Sequence, residues 1–170
     1  AEDRGLSRDK IVSVLWPEVD LERARHSLTQ TMYAARRATG IDDLFHTGNR
    51  ISINRERLSS DVFDFERAFR AEEWGVVLAL YSAPFLDGFH YPGSASFDQW
   101  CTVARSAYEA RAARAANRLA EQAECVGDSD AALVWRRRFA DIRPLDGIGA
   151  RRLIEALAQC GDRAGALEYG

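Results

Sequence analysis

The sequence has little lysine, histidine, cysteine or proline for its length. Of its 23 basic residues only Lys10 is a lysine, and the 170 residues include three histidines, three cysteines and four prolines. Cys101, Cys125 and Cys160 form no CxxC pair and lie far apart, which favours reduced thiols in a cytoplasmic protein over a disulfide framework or a zinc site. No apolar run approaches the roughly 18 residues that a membrane span needs, and the amino terminus lacks the apolar core of a signal peptide.

Motifs of the common enzyme classes are also missing. The sequence contains no HExxH, GxxxxGK[ST] or GxSxG, and so offers no zinc-protease helix, phosphate-binding loop or hydrolase nucleophile. We therefore expect no enzyme activity, no cofactor and no metal ion. Its 46% hydrophobic and 29% charged residues are typical of a folded globular protein.

The first part of the chain predicts two helices separated by a short turn. Ser7 is a favourable N-cap for SRDKIVSVLW, whose apolar residues recur at helical spacing, and Pro17 ends or redirects that helix. Asp20 is the expected N-cap of a second helix, which runs to about Thr39, where Gly40 provides the C-terminal stop.

A β-hairpin is predicted after the second helix. Two short β-prone runs, residues 44–46 and 51–53, flank Gly48 and Asn49, a pair typical of tight turns. The polar stretch RERLSSD follows, and we place a domain boundary there, between residues 1–57 and residues 58–170. Because the chain does not begin with Met and stops within an apparent helical pattern, we expect it to be a fragment.

The second part of the chain predicts helices almost throughout. VFDFERAF and EEWGVVLALY are followed by a loop rich in Gly and Pro, FLDGFHYPGS, and then by a long helix over about residues 96–125. Further helices are expected to start near three aspartates, which are Asp128, Asp146 and Asp162.

This second part also contains a repeat. GDSDAAL and GDRAGAL begin 34 residues apart, at Gly127 and Gly161, and EEWGVVL from Glu72 is a candidate third copy. Tetratricopeptide repeats, which are helix-turn-helix units, have a period of about 34 residues, and such units bury their apolar faces against their neighbours. A Gly that closes one helix and an Asp that caps the next is the simpler explanation of the shared letters. The matching spacing favours stacked helical pairs.

The segment RARHSLTQTMYAARR, residues 23–37, is the most basic part of the chain. It has four arginines and one histidine, and no acidic residue follows Glu22 until Asp42. On a helix at 100° per residue, the side expected to face a core holds Leu21, Ala24, Leu28, Met32 and Ala35. The opposite side holds Arg23, His26, Gln30, Tyr33 and Arg37. One flank holds Arg25, Thr29 and Arg36.

These residue types suit the major groove of double-stranded DNA. Arginine can bind guanine edges and glutamine adenine edges, while Thr and Tyr can reach phosphates. Carboxylates, which would repel the phosphate backbone, are missing from the segment. Two helices followed by a hairpin have the order of a winged helix-turn-helix, in which the hairpin is the wing. Arg50 is the expected wing cation, with His46, Thr47 and Asn49 near it.

The same residues resemble a known family. SRDKIVSVLWPE, ARHSL, AARR and RISIN resemble the second half of the OmpR-type winged helix that precedes the bacterial transcriptional activator domain of SARP-type regulators. LALYSAPFLDGF, SFDQWCTVAR and the GD…AL repeats resemble that activator domain. The resemblance implies a mainly α fold, with a partial winged helix-turn-helix and its β-hairpin wing followed by an all-α, tetratricopeptide-like helical repeat domain. Ala35 departs from the pattern, since the family usually has a larger apolar residue there.

The resemblance implies a DNA-binding transcriptional regulator that reads the major groove with helix 20–39. In this interpretation Arg25 and Arg36 hold phosphates, and the helical domain contacts RNA polymerase or forms a homodimer. The residues leave an alternative open, in which the chain is a helical-repeat scaffold for protein–protein interaction without sequence-specific DNA binding. Its basic helix would then bind an acidic partner, or would be an ordinary solvated surface.

Two further clusters admit both a structural and a functional interpretation. Asp61, Asp64 and Glu66 are expected to be a cap and first-turn acids that complement a helix dipole, rather than a catalytic carboxylate pair. An aromatic-rich region around the Gly/Pro loop favours core packing over a small-molecule pocket, and comprises Trp74, Tyr81, Phe85, Phe89, Phe97 and Trp100. His90 and Tyr91 on that loop are candidate contacts to a ligand or partner.

Overall fold

The computed structural model describes residues 5–169, which form eight helices and one hairpin. The first elements are α1 (Arg8–Leu15), α2 (Leu21–Thr39), β1 (Phe45–Thr47) and β2 (Ile51–Ile53). Six helices follow, α3 (Asp61–Arg70), α4 (Trp74–Leu80), α5 (Ala95–Cys125), α6 (Ser129–Ile142), α7 (Gly147–Gln159) and α8 (Arg163–Tyr169). The mainly α fold with a small hairpin is therefore confirmed. Within residues 5–169 no helix has the length and apolar character needed to cross a membrane.

The chain packs as two compact units. Unit 1 contains the residues up to Ser60 together with Gly88–Val103, and unit 2 contains Asp61–Asp87 and the residues from Ala104 onward. Helix α5 contributes its first turns to unit 1 and the rest of its length to unit 2. The predicted domain division at residues 57 and 58 stays a prediction, and packing adds a later segment of the chain to the first unit.

The ends of α1 and α2 are satisfied in the way the sequence predicts. The hydroxyl of Ser7 accepts a hydrogen bond from a first-turn amide of α1, and the carboxylate of Asp20 does the same for α2. Helix α1 stops before Pro17, which has no N–H to continue it. Gly40 ends α2 in the left-handed conformation with φ 68°. These four residues fix where each helix begins and ends.

Helices α1 and α2 and strand β2 enclose the core of unit 1. Its buried residues are Val12, Ala24, Leu28, Met32 and Ile51. The predicted inward stripe of α2 is thus confirmed at three positions, and Ala35 is half-buried. The prediction for Leu21 was wrong, because its side chain is 47% exposed. Leu21 is the first residue of α2 and lies beyond the stretch of the helix that packs on this core.

The predicted hairpin is confirmed, and a third strand position extends it. Strands β1 and β2 pair antiparallel, with Phe45 opposite Ile53 and Thr47 opposite Ile51. On the other side of β2, Leu6 and Ile51 exchange two backbone hydrogen bonds of 2.9 and 2.8 Å. Leu6, two residues before α1, is therefore held against the hairpin, which sequence reasoning did not predict.

An aromatic and alanine-rich core lies in unit 2, between α3, α4 and α5. Its residues include Phe65, Trp74, Tyr81, Ala112, Ala115 and Ala116. The alanines are completely buried, and their small side chains leave room for the rings of α3 and α4. A second cluster joins α6 and α7 through Ala140, Leu153 and Leu157.

Three turns of unit 2 share one pattern of hydrogen bonds. In each, a backbone N–H donates over 2.9 Å to the carbonyl five residues earlier, in the pairs Glu73–Ala68, Asp128–Ala123 and Asp162–Leu157. The residue just before the donor has a positive φ each time, with Glu72 at 57°, Gly127 at 78° and Gly161 at 81°. This is the Schellman ending of a helix. The sequence repeat is therefore a repeated helix–turn–helix backbone, and the candidate third copy at Glu72 has the same turn.

We predict that Glu72→Gly stabilises the protein. Glu72 adopts a left-handed conformation that its Cβ disfavours, whereas the same position in the other two turns is glycine. We expect the free energy of unfolding to rise by about 1 kcal/mol, measured by urea denaturation followed by circular dichroism. The matched variant Gly127→Ala should lower it by about 1 kcal/mol, because a Cβ there has nothing within 4 Å and only the backbone is strained. A loss of stability in Glu72→Gly would contradict the equivalence of the turns.

We also predict that Gly5→Ala destabilises unit 1. Gly5 has φ 69°, and a Cβ at this position would collide with the carbonyl oxygen of Ile51. The expected loss is about 2 kcal/mol or more, since both the backbone conformation and the pairing of Leu6 suffer. Gly48→Ala in the hairpin loop is the control, because its φ is not left-handed and its Cβ would have open space. Equal effects of the two variants on thermal unfolding would refute the prediction.

Candidate nucleic-acid interface

The outward side of α2 carries five polar side chains that the structure leaves available. They are Arg23, His26, Gln30, Tyr33 and Arg37, all exposed. Their spacing of three or four residues places them in one row along the helix. None of these five side chains makes a hydrogen bond, ion pair or ring contact with any other residue in the range 5–169. The five predicted residues therefore lie in one exposed row on α2. Tyr33, which has the largest ring in the row, is 57% exposed.

Arg25 forms an ion pair with Asp9, which lies outside the basic segment 23–37. Its Nη2 lies 2.8 Å from Oδ1 of Asp9 in the first turn of α1, and its Nε donates to the same oxygen over 3.2 Å. The hydrogen bond to Asp9 raises the pKa of the Arg25 guanidinium above its ordinary value. Both groups are exposed, so the pair joins α1 to α2 with modest energy. It also places one carboxylate beside the basic flank of α2.

The other two flank residues also make contacts inside unit 1. The hydroxyl of Thr29 donates to the carbonyl of Arg25 over 3.0 Å, one turn earlier in the same helix. The Arg36 guanidinium lies over the Phe45 ring at 5.9 Å, and its Nε is buried without a hydrogen-bond partner among the described residues. Arg36 is therefore half-buried against the hairpin. Contact of these three residues with DNA stays a prediction.

Arg50, the predicted wing cation, is positioned by the backbone of Gly5. Nε of Arg50 donates to the carbonyl oxygen of Gly5 over 2.9 Å, which leaves the two terminal amino groups of the guanidinium without a described partner. His46, Thr47 and Asn49 are exposed in the same hairpin. The hairpin thus presents one cation among short polar side chains.

An ion pair closes the base of the hairpin. Nε of Arg57 donates to Oδ2 of Asp43 over 2.9 Å, and Asn54, which is buried, donates to the same oxygen. The Arg57 guanidinium holds the pKa of Asp43 below its usual range. A carboxyl whose pKa is lowered by folding stabilises the fold above its ordinary titration range, and that contribution is lost on acidification.

The remaining predicted clusters have structural contacts. The aromatic residues pack within the two units, as in the ring pairs Phe97–Trp100 at 5.6 Å in unit 1 and Phe85–Tyr108 at 5.3 Å in unit 2. A cavity of about 50 Å³ beside Phe85 is far smaller than a typical ligand site. His90 lies 3.3 Å from Asp98.

The predicted carboxylate cluster and the histidines and cysteines show no ligand geometry. Asp61 and Asp64 occupy the first turn of α3, as expected of acids that complement a helix dipole. Glu66 forms an ion pair with Arg111. Across residues 5–169, His, Cys, Asp and Glu side chains form no group that could hold a metal ion.

Comparison with known proteins identifies the family of the chain. The bacterial transcriptional activator domain matches residues 45–169, from β1 to the end of α8, so that α1 and α2 precede the matched region. Searches of curated proteins and of solved structures gave no match. Because the matched residues make up well over half of the sequence, the chain belongs to the bacterial transcriptional activator domain family.

Proposed function

We propose that the chain is the DNA-reading and activating part of a bacterial transcription regulator. The observation that carries the proposal is the row of exposed polar side chains on α2, which have no partner among residues 5–169 and stand just before a transcriptional activator domain in the sequence. An arginine, histidine, glutamine and tyrosine row with an apolar opposite side is typical of a helix in the major groove. The helix is braced by α1 and the hairpin, as the recognition helix of a winged helix-turn-helix is.

In this mechanism the five free side chains meet the base edges. Arg23 and Arg37 bind guanine, Gln30 binds adenine, and His26 and Tyr33 complete the row. Arg50 holds a phosphate from the wing with its terminal amino groups. Arg25 and Arg36 are expected to approach phosphates only from positions fixed by Asp9 and Phe45, so they orient α2 more than they specify sequence.

The helical part supplies contacts to other proteins. The three equivalent turns of unit 2 support a tetratricopeptide-like arrangement, and such repeats commonly bind partners on extended surfaces. We place RNA polymerase and a second copy of the chain among those partners, and the protein in the cytoplasm. The proposed role needs positioning alone, so we infer that the chain catalyses no reaction.

A second candidate function is favoured by exposed apolar side chains in unit 2. Leu145 is 98% exposed, Leu167 83% and Ile148 66%, and exposed groups of this kind mark protein contacts when they form patches. The chain would then be an interaction scaffold whose basic helix binds an acidic partner. Salt dependence does not separate the two functions, because both are electrostatic. Sequence preference in DNA binding does.

We predict that Arg37→Ala lowers the discrimination between a specific site and random DNA. The site is first selected from a random duplex pool with the full-length regulator. A bidentate arginine contact to guanine contributes about 1–3 kcal/mol of discrimination, and the loss is measured as the ratio of dissociation constants for the two duplexes at fixed salt.

The control for this experiment is Arg67→Ala. Arg67 is exposed on α3 and paired with Asp64 at 3.0 Å, so the variant makes the same charge change outside the proposed interface. It should leave the ratio unchanged. A full-length regulator that binds all duplexes equally would overturn the proposed function and favour the scaffold.

A further prediction concerns Asp9→Asn. The substitution removes the carboxylate that binds Arg25, and with it a source of repulsion next to the DNA. We expect tighter binding to all duplexes and a steeper dependence of the logarithm of affinity on the logarithm of salt concentration, by about one unit of slope. Asp130→Asn, exposed in the first turn of α6, is the matched control. An unchanged slope in Asp9→Asn would show that Arg25 does not reach the phosphates.

A further inference from the structure

A single buried hydroxyl joins the ends of two helices in unit 1. Ser94 immediately precedes α5, and its Oγ accepts a hydrogen bond of 3.0 Å from the amide of Phe97. The same Oγ donates to the carbonyl oxygen of Val14, in the last turn of α1. The side chain thus serves as the N-cap of α5 and as a donor to the end of α1. Ser94 is 4% exposed.

Each half of this arrangement satisfies a backbone group that has no partner in its own helix. The last four carbonyls of an α-helix lack intrahelical donors, and Pro17 prevents α1 from continuing. The first amides of α5 also lack intrahelical acceptors, as at the start of any α-helix. A buried carbonyl left without a donor is destabilising. The Ser94 hydroxyl supplies a donor to Val14, and it is a second acceptor for the Phe97 amide, which also donates to the Ser94 carbonyl oxygen over 3.1 Å.

The residues around Ser94 hold it in this position. Gly88–Val103 pack within unit 1, and the ring of Phe97 makes edge-to-face contacts with Phe89 at 6.0 Å and Tyr91 at 5.9 Å. Cys101, one turn further along α5, is 2% exposed. The hydroxyl is therefore fixed by the loop before it and by the helix after it.

We propose that Ser94 is a positioning residue for the helix-turn-helix, so that the folded arrangement of α1 and α2 depends on residues 88–103. Helix α1 has only eight residues, too few to be stable by itself in water. Its amino-terminal end is held by the pairing of Leu6 with Ile51 of β2 and by the Ser7 cap, and its carboxyl-terminal end by Ser94. The helix that follows Ser94 also supplies Ala112, Ala115 and Ala116 to the core of unit 2.

Hydrogen exchange on the full chain tests this dependence in Ser94→Ala. The amides of α1 should exchange about tenfold faster, which is the change expected from the loss of one buried hydrogen bond. The first turn of α5 should also exchange faster, although the Phe97 amide keeps the carbonyl of residue 94 as an acceptor, and the amides of α6 and α7 should be unchanged. Acceleration confined to the first turn of α5 would show that Ser94 is only a helix cap, and would overturn the proposal.

Two further variants keep the test decisive. Ser96→Ala removes an exposed hydroxyl from the same first turn of α5 and should leave α1 unchanged; an equal effect would contradict a specific role of Ser94. Ser94→Cys keeps a hydrogen-bonding atom at this position but has a weak donor, so it provides a second measurement where Ser94→Ala does not fold. Protection of α1 at the level of the unchanged protein in Ser94→Cys would also overturn the proposal.

The consequence for DNA binding rests on the proposed function, whereas the exchange experiment does not. Close to the temperature at which α1 opens, Ser94→Ala should weaken binding to specific and random duplexes by the same factor, because only the folded fraction binds. This differs from Arg37→Ala, which is expected to change their ratio. A changed ratio in Ser94→Ala would contradict the positioning role, and absence of DNA binding would refute the proposed function without affecting the exchange result.

Discussion

The need to satisfy backbone groups at helix ends is the constraint on which the rest of the structure depends. The eight helices of residues 5–169 leave many amides and carbonyls at their ends without intrahelical partners. The chain satisfies them with side-chain caps at Ser7, Asp20, Asp128 and Asp146 and with the three Schellman turns. Ser94 does the same for two helices at once, because its hydroxyl bonds the carbonyl of Val14, 80 residues earlier in the chain. Where these helices begin and end follows from these contacts.

The row on α2 follows from the ends of the helix together with the burial of its opposite side. Asp20 and Gly40 set the limits of the helix, and burial of Ala24, Leu28 and Met32 then sets its rotation. With both fixed, helix geometry directs five side chains outward, those of Arg23, His26, Gln30, Tyr33 and Arg37. The proposed reading surface is therefore not an independent feature. It is the outer side of a helix whose inner side is already determined.

Local sequence predicted the features that depend on local contacts. The caps, the end of α2 at Gly40, the hairpin and the starts of the late helices all follow from residues within a few positions of one another. The contacts that could not be predicted join distant positions, such as Asp9 with Arg25, Leu6 with Ile51 and Ser94 with Val14. An acid-free segment indicated a basic helix, but sequence gave no sign that an acid from α1 would lie beside it.

The positions of the charged residues are more informative about DNA binding than the net charge of the chain. Residues 1–57 contain ten basic and nine acidic residues, while the rest contain 13 basic and 17 acidic. Neither part is basic enough to attract DNA by net charge alone. In the proposed function, the exposed cations Arg23 and Arg37 would act because helix geometry groups them on one side of α2. For a protein of the proposed function this arrangement has a physical benefit, because weak non-specific attraction leaves discrimination to the side chains that contact base edges.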